Sequence, residues 1–159
     1  MSTAVHLTLN GAEARLDVEG GEPLLLALRH RAGLTGSRLG CGLEQCGACM
    51  VLVDGDPRYA CTLPAADTAG RTVVTVEGLA ADPLGAALLQ AFVDEQAGQC
   101  GYCLAGILVS AHALLRRSPR PDRTEIAAAL DGHLCRCGAH PRILRAVARA
   151  AERIAGGEA

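Results

Sequence analysis

The sequence predicts an α+β fold, with strands in the N-terminal half and helices in the C-terminal half. Near the N-terminus apolar residues alternate with polar ones, as they do in half-buried strands. From about residue 84 onward apolar residues instead recur every three or four positions, which is typical of amphipathic helices. Eight cysteines fall into two groups of four, one in each half.

The N-terminal half, residues 1–77, has the element order of a β-grasp domain. Val5, Leu7 and Leu9 mark a first strand within residues 1–10, Asn10-Gly11 is a strong hairpin-turn signal, and residues 12–18 form the returning strand. The other predicted elements are a helix over 24–31, a glycine-rich loop over 36–47, a strand over 50–53 that turns back toward residue 59, and a final strand over 72–76.

The C-terminal half, residues 78–159, is predicted to be a four-helix bundle. Its helices are expected over residues 84–96, 104–115, 122–130 and 141–154. Asp122 and Glu125 have the spacing of a capping box, and Pro141 fits the first position of the last helix. The last helix also carries an arginine stripe, which we expect to be a solvated face: Arg142, Arg145, Arg149 and Arg153.

Composition narrows the classes of function. The 159-residue chain has a formal net charge of −2, so no strong positive field draws it to nucleic acid. No leader pattern and no apolar run of membrane-spanning length is visible. We therefore expect a cytoplasmic protein without a membrane span, exported only if a partner carries the signal.

The cysteine spacing predicts two metal centres. The first thiol set reads C-x4-C-x2-C with a fourth cysteine after eleven residues, which is the plant-type pattern for a [2Fe–2S] cluster; it comprises Cys41, Cys46, Cys49 and Cys61. The second thiol set reads C-x2-C, a gap of thirty-one residues, then C-x-C, and comprises Cys100, Cys103, Cys135 and Cys137. Two redox centres on one chain indicate electron transfer.

Other uses of eight cysteines remain open at this point. Structural zinc also takes four thiolates, but usually from two C-x2-C pairs, which C-x4-C-x2-C and C-x-C fit poorly. A disulfide framework needs an oxidising compartment, and no export pattern supports one. Buried free thiols in this order would be improbable. The histidines His6, His30, His112 and His133 have no ligand spacing among themselves, and His140 is expected to pack or cap.

Three segments resemble the iron–sulfur part of the molybdenum hydroxylases, the xanthine oxidase and aldehyde oxidoreductase family. They are Gly40-Cys41-Gly42-Leu43-Glu44-Gln45-Cys46-Gly47-Ala48-Cys49, then Gln99-Cys100-Gly101-Tyr102-Cys103, then Leu134-Cys135-Arg136-Cys137-Gly138 with the residues that follow. The resemblance extends over nearly the whole chain in the right order. In finer detail the segments are similar to those of the small subunits of nicotinate- and isoquinoline-type dehydrogenases.

The resemblance implies an electron-transfer subunit with two [2Fe–2S] clusters and no catalytic residue of its own. A separate large subunit would hold molybdopterin, in its cytosine dinucleotide form, and hydroxylate an N-heteroaromatic compound or an aldehyde. Gln99 would reach the pterin, and Cys137 would lie near it. A flavoprotein subunit or a cytochrome is compatible as electron acceptor. The alternative is a free-standing two-cluster ferredoxin.

Overall fold

A computed structural model describes residues 2–157, so Met1, Glu158 and Ala159, and with them the outer limits of both predicted domains, lie outside the described residues. Five strands form one sheet: β1 (Ser2–Leu9), β2 (Ala12–Glu19), β3 (Met50–Val53), β4 (Asp56–Tyr59) and β5 (Thr72–Val74). The five α-helices are α1 (Leu24–His30), α2 (Pro83–Asp94), α3 (Leu104–Arg117), α4 (Arg123–Leu130) and α5 (His140–Ala155). Short 3-10 helices span Ala65–Thr68 and Val76–Ala81.

The sheet has the strand order β2-β1-β5-β3-β4, with β1 and β5 parallel and the other neighbours antiparallel. The predicted hairpin between β1 and β2 is confirmed. Asn10 and Gly11 both adopt positive φ, 50° and 85°, which a tight two-residue turn between twisted strands requires. The mixed sheet with one helix packed on it confirms the β-grasp half of the predicted α+β fold.

The last strand is shorter than the sequence predicts. We expected it to reach residue 76, but β5 ends at Val74 and a 3-10 helix follows from Val76. The cause is the side chain of Asn10, whose Oδ1 accepts the backbone N–H of Thr75 at 2.8 Å. This hydrogen bond takes the place of a ladder bond, and the chain turns away from the sheet.

Helix α1 covers one face of the sheet and completes the first core. Its buried leucines Leu24, Leu25 and Leu28 pack in one cluster with Val5 and Val51, among other strand residues. These leucines lie on one side of the helix, as in an amphipathic element that faces a core. The loop that carries three cysteines of the first thiol set therefore begins after a well-packed helix, α1, and ends at strand β3.

Helices α2 to α5 form the predicted bundle. The capping box that begins α4 is confirmed, since Asp122 accepts from Glu125 N at 2.8 Å and Glu125 accepts from Asp122 N at 2.7 Å. Helix α2 ends at Asp94 rather than at residue 96, because the chain turns at Gln96, whose φ is +47°. Helix α5 begins at His140, so Pro141 occupies its second position rather than the first position that the sequence predicts.

Strand β3 belongs to both cores, because all four of its residues are buried. Val51 and Val53 face the first core, whereas Met50 and Leu52 pack in the cluster of the helical half. Helix α3 lies against β3 on this second face. The bundle therefore packs directly on the sheet through a continuous apolar contact.

The arginine stripe of α5 is largely exposed, as predicted for a solvated face, but its side chains also form ion pairs within the chain that the sequence did not predict. Arg145 and Arg149 reach Glu95 at 3.1 and 2.9 Å, and Arg153 pairs with Asp94. These ion pairs join the exposed side of α5 to the C-terminal end of α2. Within residues 2–157, no helix is both long and apolar enough to cross a bilayer.

Gly106 of α3 lies close to the backbone of the first cysteine loop. A Cβ built on Gly106 would lie 1.9 Å from the carbonyl oxygen of Gly47, so backbone would have to move. We expect Gly106→Ala to lower the free energy of unfolding by about 2 kcal/mol, despite the better helix propensity of alanine. Chemical unfolding followed by circular dichroism measures this change.

Gly20→Ala is the matched control, because a Cβ at Gly20 meets nothing within 4 Å. It should change the free energy of unfolding by less than about 0.5 kcal/mol. Equal midpoints for the two variants would contradict the close approach of α3 to the first loop.

Candidate metal centres

The first thiol set is built by a loop that winds between α1 and β3. Gly42, Glu44 and Gly47 all adopt left-handed backbone conformations, with φ of 68°, 58° and 73°. With this backbone conformation, the N–H groups of Leu43 and Gln45 donate hydrogen bonds to the sulfur of Cys41, at 3.3 and 3.2 Å. Backbone N–H groups around sulfur are the donors that stabilise iron–sulfur clusters.

The four thiols of the first set are arranged as two pairs. The thiol of Cys46 is one of the groups that lower the pKa of Cys41, and the thiol of Cys61 is one of those that raise the pKa of Cys49, which pairs the four thiols in this way. The N–H of Cys41 also donates to the sulfur of Cys46 at 3.3 Å. Cys61 comes from the segment just after β4, so one strand pair and one loop supply the set.

The two pairs of the first set differ in environment. Hydrogen bonds from the N–H groups of Leu43 and Gln45 lower the pKa of the exposed Cys41 thiol to about 7. Burial raises the pKa of the Cys49 thiol to about 12. Cys41 is therefore the more readily ionised of these two thiols, and it is also the exposed one.

The second thiol set repeats this arrangement. The thiol of Cys137 is one of the groups that lower the pKa of Cys100, and the thiol of Cys135 is one of those that raise the pKa of Cys103. The N–H of Tyr102 lowers the pKa of the exposed Cys100 thiol, and burial raises the pKa of the Cys103 thiol to about 12. Burial also acts against ionisation of Cys135, but hydrogen bonds led by the N–H of Ala139 hold its pKa below the usual range.

The paired thiols fit a binuclear cluster. A [2Fe–2S] core has two irons, and each takes two thiolates, so its four ligands form two pairs. A single tetrahedral ion such as zinc instead draws all its ligands to one point. The donor chemistry and pairing of both sets thus suit [2Fe–2S] cores.

Contacts that connect the loops of the two sets directly include the following three. Leu134, which precedes Cys135, donates its N–H to the carbonyl oxygen of Cys46 at 3.1 Å. The hydroxyl of Tyr102, between Cys100 and Cys103, donates to the carbonyl oxygen of Leu39 at 2.5 Å. The third contact is the packing of the His133 ring on Gly47.

His133 was expected to be one of several unremarkable histidines, yet it is 4% exposed at the junction of the two loops. Its Nε2 forms a hydrogen bond with Ser110 Oγ of α3 at 2.7 Å. Burial lowers the pKa of His133 to about 4, so the ring is neutral at physiological pH. Only its place two residues before Cys135 could have marked it in the sequence.

The two residues that the sequence assigned to a pterin lie side by side. Gln99 Nε2 donates to the carbonyl oxygen of Cys137 at 3.2 Å, and the Gln99 side chain is exposed. The turn after α2 and the C-x-C segment before α5 meet at this point. Gln99 therefore stands at the rim of the second thiol set, open to a ligand or a partner.

Comparison with known proteins agrees with this geometry. Residues 7–80 match the family described as a 2Fe-2S iron-sulfur cluster binding domain, and residues 75–148 match the [2Fe-2S] binding domain family. Each matched range contains one complete thiol set. The chain is thus a protein of two [2Fe–2S] domains.

The relatives identify a more particular family. The chain is 47% identical over 152 residues to one of the subunits of nicotinate dehydrogenase from Pseudomonas putida, covering 96% of this chain and 97% of that one. It is 42% identical to the alpha subunit of isoquinoline 1-oxidoreductase from Brevundimonas diminuta, covering 95% and 99%.

Solved structures give the same answer. Quinoline 2-oxidoreductase from Pseudomonas putida 86 matches with a TM-score of 0.92 at 36% identity, covering 99% of both chains. Aldehyde oxidoreductase from Desulfovibrio gigas matches with a TM-score of 0.90 at 34% identity, covering 98% of this chain but 17% of that one. The chain belongs to the iron–sulfur small subunits of the molybdenum hydroxylase family.

Because the His133 ring packs on Gly47, we expect a side chain at position 47 to disturb the first loop. A Cβ at Gly47 would lie 2.2 Å from His133 Nδ1, and Gly47 also has a φ of 73°. We expect Gly47→Ala to lower the free energy of unfolding by about 3 kcal/mol, from backbone strain and overpacking together. It should also reduce the iron bound per chain.

Gly33→Ala separates backbone strain from overpacking, because Gly33 has a φ of 70° but nothing within 4 Å of its Cβ position. This control should cost about 1 kcal/mol and leave the iron content unchanged. Urea unfolding and iron analysis of both variants give the comparison. Equal losses in the two variants would show that the His133 contact does not support the loop.

Proposed function

We propose that this chain binds one [2Fe–2S] cluster through each thiol set and carries electrons from a molybdenum-containing partner subunit to an external acceptor. The observation that supports this most strongly is that each of the two matched [2Fe-2S] domains contains one complete set of four thiols. A [2Fe–2S] cluster, when bound, takes up and releases one electron at a time. The chain's own residues hold the two sites in direct contact and supply donors to their sulfurs.

We propose that the second thiol set faces the molybdenum subunit. Gln99 and Cys137, which meet at the exposed rim of this set, would lie closest to the molybdopterin. The first thiol set, through the exposed Cys41 side of its loop, would then be the exit toward the acceptor. A flavoprotein subunit or a cytochrome would each suit this exit.

The exposed apolar side chains favour a stable complex over a free-standing ferredoxin. Among the described residues five large apolar side chains are exposed, and four of them lie in the cysteine loops: Leu39, Leu43, Tyr102 and Leu134. Isolated exposed apolar residues are ordinary, but their concentration around functional loops marks an interaction surface. A shuttle protein that releases its partners would have less reason to expose them.

For the partner's substrate we propose an N-heteroaromatic compound. The relatives named for nicotinate, isoquinoline and quinoline all carry a ring nitrogen in the compound they are named for, and the chain covers almost their full length. The aldehyde oxidoreductase of Desulfovibrio gigas supports an aldehyde as the second candidate. Turnover of the purified complex with each compound and an artificial acceptor decides between the two.

The ligand assignment is tested on the full chain, purified without oxygen and reduced with dithionite. We expect two distinct [2Fe–2S] EPR signals, with iron and acid-labile sulfide in equal amounts. Cys61→Ser should alter or remove one signal, and Cys135→Ser should alter or remove the other. Because Cys61 and Cys135 are both half-buried, the variants are matched.

Two results would contradict the proposal. Bound zinc in place of iron, or a single signal that both variants alter equally, would exclude two separate clusters. Co-purification tests the assembly: a stable complex with a molybdenum-containing chain is expected, whereas a persistent monomer would favour the ferredoxin alternative.

A further inference from the structure

Arg38 lies beside the second thiol set although it belongs to the first domain. Its guanidinium carbon is 5.3 Å from the ring centroid of Tyr102, within the range of a cation–π interaction. Tyr102 lies between Cys100 and Cys103, and Arg38 lies three residues before Cys41. We call this contact the Arg38–Tyr102 bridge.

Both ends of the bridge are anchored. The backbone N–H of Arg38 donates to the carbonyl oxygen of Ala48 at 3.1 Å, which fixes Arg38 to the first cysteine loop. The hydroxyl of Tyr102 donates to the carbonyl oxygen of Leu39 at 2.5 Å. The ring is thus held over the segment that carries the cation, and the cation cannot drift far from the second set.

The charge of Arg38 is placed at the segment that carries two ligands of the second set. The guanidinium lies over the ring of Tyr102, which directly precedes Cys103 and follows Cys100 by two positions. A positive charge beside a cluster stabilises the extra electron that the cluster gains on reduction.

We propose that the Arg38–Tyr102 bridge raises the reduction potential of the cluster in the second thiol set. Reduction adds one negative charge, and the guanidinium stabilises that charge across the boundary between the two halves. Tyr102 acts as a positioning residue that keeps the guanidinium in place. The inference rests on the proposed cluster ligands, and it adds that the first domain helps to set the potential of the second centre.

The test is an EPR-monitored redox titration of the full chain loaded with both clusters. Cys61→Ser and Cys135→Ser first assign each signal to its thiol set. Arg38→Met should then lower the midpoint potential of the second centre. We expect about a threefold change in its ratio of reduced to oxidised protein at fixed solution potential, on the order of 30 mV for a one-electron couple. The first centre should move less.

Three variants control for charge, conservative replacement and fold. Arg38→Lys keeps the charge and should restore most of the potential. Arg15→Met removes another exposed arginine, in β2, paired there with Asp17, and should leave both potentials unchanged. Arg38→Gln serves the same comparison if Arg38→Met does not hold both clusters.

The contributions of the ring and of the hydroxyl group of Tyr102 can be tested separately. Tyr102→Phe keeps the ring under the guanidinium and loses only the hydrogen bond to Leu39, so its effect should be smaller than that of Tyr102→Leu. Because Arg38 is exposed, rising salt should reduce the difference in potential between Arg38→Met and the unchanged protein. A purely structural role would not give this salt dependence.

The inference is overturned if Arg38→Met leaves the second potential unchanged, if it moves the first potential as much, or if Arg38→Lys lowers the second potential equally. Failure of the proposed ligand assignment is distinguishable, because the unchanged protein would then lack two separate EPR signals before any titration begins.

Discussion

The relation between the two cysteine loops depends on the close backbone approach of α3 to the first loop. Gly106 meets the carbonyl of Gly47 where no side chain fits, and His133 seals the same junction from the segment before Cys135. Because backbone atoms set this contact, it has little freedom to adjust. Helix α3 begins directly after Cys103, so this packing also fixes the second thiol set relative to the first. Strand β3, buried on both faces, provides the rigid base under the contact.

The parts of the molecule that could be predicted are those specified by neighbours in sequence. The Asn10-Gly11 turn and the Asp122–Glu125 capping box depend on residues one to three positions apart, and both formed as expected. The helical stripes likewise follow from local spacing. The cysteine sets were recognisable because cluster ligation constrains both residue type and interval within a loop. The role of each individual cysteine as a ligand remains a prediction, with which the paired thiols agree.

The parts that could not be predicted depend on residues far apart in the chain. The final strand stops early because Asn10, 65 positions away, binds Thr75. The ion pairs of the arginine stripe were not predicted because their acidic partners lie 50 or more positions earlier, in α2 and its C-terminal cap, as for Arg145 and Glu95. Tyr102 and Leu39 are 63 positions apart. No periodicity carries such information, so a contact of this kind becomes visible only when the halves are packed together.

The contacts between the loops divide into two physical kinds, and the difference bears on assembly. Those of Gly106 and His133 are buried and set position, whereas the Arg38–Tyr102 bridge is exposed and contributes charge. Water and salt weaken the field of an exposed guanidinium. Leu39 and Tyr102 are 52% and 46% exposed, so a partner that covers them would also remove water from around Arg38. The same charge then acts through a lower dielectric and more strongly. Docking of a partner would in this way shift the potential of the second centre without any movement of its ligands.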